Sequence, residues 1–129
     1  MAFLTIMVNT ALKQPRYDLQ KMQIAAARED GFAITPRARQ DAENLEMPEL
    51  AVRNLIRSLT PSDFDHVWLL RDDRKRLILD PEGKEIAMDV YFPWITAPNG
   101  AKCQVYLKMK FSESTISVTS VQSLHQQRK

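Results

Sequence analysis

The chain has 129 residues, a formal net charge of +2, one cysteine and three glycines. That length suits one domain with an ordinary core, and no apolar run reaches the roughly 20 residues a membrane-spanning helix needs. Cys103 alone excludes an internal disulfide and a cysteine-based metal site, and it suits a reducing, cytoplasmic setting.

Residues 1–9 are apolar but lack the basic flank and cleavage site of a signal peptide. They read as an extra strand or helix over the core, or as the product of a start codon upstream of the true one. Asp18 is a good N-cap for a helix over residues 19–29, which Asp30 and Gly31 stop. Residues 32–34 fit a short strand. Thr35 followed by Pro36 opens a second helix to about residue 44, and Pro48 opens a third. In the third, Val52, Leu55, Ile56 and Leu59 fall at i, i+3, i+4 and i+7, one buried face with Arg53 and Arg57 turned outward. Thr60 to Asp63 has the composition of another cap.

From Phe64 the apolar period changes from helical to two. Residues 67–70 fit a strand. Residues 77–79 and 86–92 flank Asp80-Pro81-Glu82-Gly83, a turn sequence, and so read as a hairpin. Pro98-Asn99-Gly100 is a second turn. In residues 102–111 the odd positions Cys103, Val105, Leu107, Met109 and Phe111 are apolar, and Gln104, Tyr106, Lys108 and Lys110 alternate with them. Ser112 to Ser114 turn the chain into a last strand with Ile116 and Val118 inward, and residues 122–129 read as a frayed polar tail. Helices followed by strands predict an α+β domain, with the helices on one face of an antiparallel sheet.

The candidate chemistry lies on the solvent side of the strand at 102–111. Gln104, Tyr106, Lys108 and Lys110 form a row in which a tyrosine stands between amines, an arrangement suited to a phosphate-rich single strand. On spacing alone the row is an ordinary solvated face, where Lys and Tyr are common. Arg71 belongs to a mixed-charge run that reads as a solvated loop, and Tyr91 nears Tyr106 if their strands pair. His66 and His125 are the only histidines. No metal-ligand spacing, glycine-rich phosphate loop or nucleophile elbow is present.

Four segments in order resemble the MqsR family of bacterial messenger-RNA-cleaving toxins. They are Pro15-Arg16-Tyr17-Asp18-Leu19, Ile34-Thr35 with Leu59-Thr60-Pro61-Ser62-Asp63-Phe64, Asp89-Val90-Tyr91 with Pro93, and Gln104-Val105-Tyr106-Leu107-Lys108. The resemblance covers about residues 15–121; residues 1–14 and 72–85 look like additions to it. It implies a RelE-like fold and a type II toxin: a metal-independent endoribonuclease, without cofactor, acting on single-stranded mRNA and restrained by a cognate antitoxin. Cleavage in such enzymes runs by attack of the RNA 2′-hydroxyl on the adjacent phosphate. The family tyrosine falls on Tyr106, and a family lysine falls on His66. The family glutamine position holds Met88, and the position of the last family lysine lies near Val121. The expected catalytic residues are therefore Tyr106, His66 and Lys108, with Gln104, Lys110, Arg71 and Tyr91 contacting RNA. A binding module on the same fold, altered or inactive in catalysis, is the alternative that the Met88 and Val121 positions favour.

Overall fold

The computed structural model describes residues 14–96, 100–113 and 116–126. Helix α1 (Leu19–Ala27) starts where the Asp18 carboxylate accepts the Lys21 N–H at 3.0 Å. It ends at Ala27, two residues short of the expected 29, with the Arg28 N–H donating to the Ala25 carbonyl, and the chain then turns back at Gly31, where any added Cβ would collide with that same carbonyl. Strand β1 (Phe32–Ile34) follows, then α2 (Pro36–Asn44), capped by the Thr35 hydroxyl on the Ala38 N–H at 3.1 Å. Helix α3 (Glu49–Ser58) buries Val52, Leu55 and Ile56, the face its spacing predicts. A 3₁₀ turn at Pro61–Asp63 is closed by Asp63, whose carboxylate accepts the Thr60 N–H at 2.8 Å.

Five further strands complete the sheet: β2 (Phe64–Leu69), β3 (Ala87–Tyr91), β4 (Trp94–Thr96), β5 (Lys102–Glu113) and β6 (Ser117–Gln126). Their order is β1-β6-β5-β3-β2, with β4 also paired to β5. The fold is α+β, but the sheet is mixed rather than antiparallel, because β1 runs parallel to β6. A three-residue strand carries too little pattern to announce its direction. One core cluster joins Met22, Ala38 and Ile56 of the three helices to Leu107, Met109 and Val121 of the sheet. We call the sheet face bearing those residues inner and the opposite face outer.

Two further expectations change. The Asp80–Gly83 turn forms: Asp80 Oδ1 accepts the Glu82 and Lys84 N–H groups, and Gly83 takes φ +82. Residues 77–79, however, make only isolated bridges (Arg71↔Leu77, Leu79↔Glu85) and stay exposed, so β3 pairs with β2 instead. The last strand does not fray after residue 122 but runs to Gln126 with Leu124 fully buried. Beyond Val121 it has outrun β1, and α2 takes over: Asp41 accepts the Leu124 N–H at 3.2 Å. The expected apolar opening at 1–9, Pro98-Asn99 of the second turn, Ser114 and the tail from 127 lie outside the described residues. Among the described residues no helix is long and apolar enough to cross a membrane.

Candidate functional site on the outer face of the sheet

Alternation along β5 sets the two faces. Val105, Leu107 and Met109 are fully buried inward, while Gln104, Tyr106, Lys108 and Lys110 point outward, as the sequence predicts. The outward row is not open to solvent along its length. Side chains from β2, β6 and the segment after β3 lean over it and leave each of the four half-buried.

Two β-bulges decide which side chains those are. On β2 the register slips between Phe64 and His66. Phe64 pairs with Tyr91 and packs on the core, whereas His66 pairs with Val90, which itself lies opposite the outward Lys108. Asp65 is the extra residue. In a regular strand neighbours point to opposite faces; the bulge puts both on the outer side. His66 Nδ1 therefore reaches Asp65 Oδ2 at 2.7 Å. A carboxylate can only accept from Nδ1–H, so the neutral ring carries its lone pair on Nε2.

On β6 the slip falls between the partners of Lys108 and Met109, which are Ser123 and Val121. Gln122 is the extra residue. Past it the inward phase moves from odd to even positions, so Leu124 enters the core and His125 comes to lie directly opposite Tyr106. Their rings stack at 4.7 Å between centroids and 7° between planes.

The result is an aromatic file across the sheet. His66 meets Phe92 edge-on at 6.1 Å, Phe92 leans on Tyr106 at 5.8 Å, and Tyr106 lies against His125. Gln104 steadies the file, its amide donating to the Phe92 carbonyl at 3.1 Å. Burial, and then the Asp65 charge, pushes the Tyr106 hydroxyl above its ordinary range. At neutral pH it is a protonated donor. Beside the file, the Lys108 ammonium sits 3.8 Å from the centroid of the Trp68 ring. Burial, and then the Arg37 charge, lowers its pKa from the usual lysine range.

Tyr106, Lys108 and Gln104 are thus brought together, with Lys110 further along the same row opposite Ser120. His66 shares their face, but Phe92 touches both His66 and Tyr106 and stands in the file between them. Arg71 lies in the exposed loop after β2, where its guanidinium donates to the Lys75 carbonyl at 2.9 Å. Tyr91 is a correction. Its side chain is fully buried on the inner face, edge-on to Phe64, so it cannot contact RNA beside Tyr106. Asp89 shares that inner face, where its carboxylate accepts the Arg16 and Tyr17 N–H groups at 2.8 and 2.9 Å. A polar position on β3 was consequently an inward one.

Residue-level reading missed His125, Phe92, Trp68 and Asp65. Trp68 is signalled only by its even spacing from His66, and His125 is hidden by the bulge. A cleft of about 500 Å³ between α3, the loop before it and β4 is lined by Leu45, Met47, Leu55 and Trp94 and shares no side chain with the file. No protein-family model matches the chain, and no curated protein matches it.

Proposed function

We propose that this chain is an endoribonuclease toxin of a type II toxin–antitoxin system, acting in the cytoplasm on single-stranded mRNA. Its cleavage is metal-independent and runs by 2′-hydroxyl attack on the adjacent phosphate, and a cognate antitoxin protein restrains it. One observation carries the reading: Tyr106, protonated and half-buried, stands on the outer face between ring neighbours, with Lys108 two residues on in the same row. A phenol donates a proton to a phosphate or leaving oxygen, and an adjacent ammonium offsets the charge of the phosphorane. The exposed His125 ring and the half-buried rings beside it offer stacking surface to unpaired bases. The four segments of MqsR resemblance agree with this placement, since Tyr106 and Lys108 belong to one of the two specific ones among them.

The test is induced expression of the chain in a bacterial host, scoring growth arrest and mapping the ends of cellular transcripts. Arrest with new internal transcript ends is expected. Tyr106→Phe keeps the ring that covers the sheet and is expected to lower cleavage by about 10²–10⁴-fold, the usual contribution of one general acid. Wild-type cleavage by a folded Tyr106→Phe protein would remove the hydroxyl from the reaction.

A second reading, an RNA-binding module without cleavage, draws on Phe92 standing between Tyr106 and His66 and on Val121 being fully buried where the family has a lysine. It takes over if the wild type binds single-stranded RNA but produces neither arrest nor new transcript ends.

A further inference from the structure

The outer face holds two imidazoles, and they are not equivalent. In each, Nδ1 is tied to an oxygen that can only accept: Asp65 Oδ2 at 2.7 Å for His66, and the Gln126 carbonyl at 3.1 Å for His125. Each ring therefore carries its proton on Nδ1 when neutral and presents Nε2 as the base. Position separates them. His66 lies on β2, two strands from β5, a lateral distance of roughly 10 Å at the usual strand spacing. Phe92 fills part of that interval. His125 is the direct cross-strand neighbour of Tyr106, and its ring lies parallel to the phenol with nothing between them.

Resting on the ribonuclease reading, the geometry points to His125, not His66, as the general base of the reaction, working with the Tyr106 hydroxyl as the general acid across one phosphate. Two groups on parallel rings 4.7 Å apart can each make a hydrogen bond of roughly 2.8 Å to oxygens of a single phosphate between and above them. The step balances. His125 Nε2 takes the proton of the 2′-hydroxyl, the 2′-oxygen forms its bond to phosphorus, and the bond from phosphorus to the 5′-oxygen breaks as Tyr106 gives that oxygen its proton. The products are a 2′,3′-cyclic phosphate and a 5′-hydroxyl. Proton return from the imidazolium to the phenolate resets the pair.

The groups that bear on His125 are few among the described residues. Tyr106 faces it from β5, Ser123 precedes it on the same face of β6, and Lys108 lies opposite Ser123. The Asp65 charge reaches Tyr106, and the Arg37 charge reaches Lys108. The bulge at Gln122 has a role in this scheme: without it β6 would present Leu124 to Tyr106 and turn the imidazole into the core.

The test uses the full chain and an RNA spanning a site that the wild type cleaves. His125→Phe retains a ring against Tyr106 but cannot accept a proton; His125→Gln offers a smaller, non-titrating alternative should the first not fold. For either folded variant, kcat is expected to fall about 10²–10⁴-fold with KM unchanged. The acid limb of the kcat–pH profile is expected to vanish, and imidazole added to His125→Ala is expected to restore part of the rate. His66→Phe is expected to keep the acid limb. A folded His125→Phe or His125→Gln protein with wild-type kcat and an intact acid limb overturns the assignment and leaves the ribonuclease reading standing. A wild-type chain that cleaves no RNA overturns that reading first, before any variant is made.

Discussion

Asp89 shows at the scale of one residue how a carboxylate in the Asp89-Val90-Tyr91 segment can belong to architecture. It is fully buried, and it accepts two backbone N–H groups from Arg16 and Tyr17, while the Tyr17 hydroxyl donates to the Ala87 carbonyl at 2.7 Å. Arg16 and Tyr17 thus meet β3 here, and Asp89 staples the chain entering α1 to that strand. Asparagine can accept only one of the two N–H groups comfortably and turns a donor toward the other. An unsatisfied buried donor costs about 1–3 kcal/mol, so Asp89→Asn is expected to destabilise the fold by that order, measured by urea unfolding. The pH dependence has a definite sign. Burial, outweighing the two backbone bonds and the Arg16 charge, raises the Asp89 pKa above its ordinary 3.8. A carboxyl with a raised folded pKa gives its full stability below the unfolded value and loses it as pH rises through the folded one. The deficit of Asp89→Asn relative to wild type is therefore expected to be largest in acid and to shrink toward neutral pH. A deficit that grows with pH would mean that the ionised carboxylate is the favoured form.

At the scale of elements, the two bulges explain both what was legible in the sequence and what was not. Strand β5 was legible because it alternates without interruption from Cys103 to Phe111, and α3 because four apolar residues share one helical face. The caps at Asp18 and Thr35 announce themselves by side-chain chemistry. A bulge has no such signature: Asp65 and Gln122 are ordinary residues, and inserting one residue reverses the phase of everything after it. That reversal is why Leu124 and His125 read as a polar tail. Tyr91 was misplaced for a different reason. Asp89 and Tyr91 were correctly grouped on one face, but a polar face reads as solvent-facing unless its hydrogen-bond partners, here from residues far earlier in the chain, are known. The bulge on β6 makes a prediction of its own. Leu124→Ala removes a fully buried side chain and is expected to cost about 2–5 kcal/mol. Deleting Gln122 removes the extra residue and leaves Ser123, Leu124 and His125 opposite Lys108, Leu107 and Tyr106, so Leu124 stays buried and the cost is expected to fall below that of Leu124→Ala. A Gln122 deletion as costly in urea unfolding as Leu124→Ala would show that the flanking pairs do not close into a regular register without it.

For the whole molecule, a net charge of +2 is too small to draw a polyanion from a distance, so any RNA affinity rests on where the cations stand. The outer face concentrates Lys108 and Lys110 in one row, whereas Arg71 lies in the exposed loop beyond β2 with its guanidinium on a backbone carbonyl. Charges more than a Debye length, about 8 Å, from the bound strand are largely screened at physiological salt. Affinity for a single strand falls with salt because bound phosphates release counterions, with a slope of about 0.7 per phosphate neutralised. Lys108→Ala and Lys110→Ala are each expected to reduce the slope of log affinity against log salt by about that amount, and Arg71→Ala to leave it unchanged. Trp68→Ala makes a sharper comparison. The ring holds the Lys108 ammonium in place at 3.8 Å but carries no charge. Its loss is expected to weaken binding at every salt concentration while leaving the slope where it was, because the number of neutralised phosphates is unchanged. Measuring all four variants by fluorescence anisotropy over a salt series, on an RNA whose 2′-hydroxyls are methylated to prevent cleavage, separates charge from scaffold. Unchanged slopes for both lysine variants would remove this face from the RNA site and, with it, the basis for placing the reaction at Tyr106.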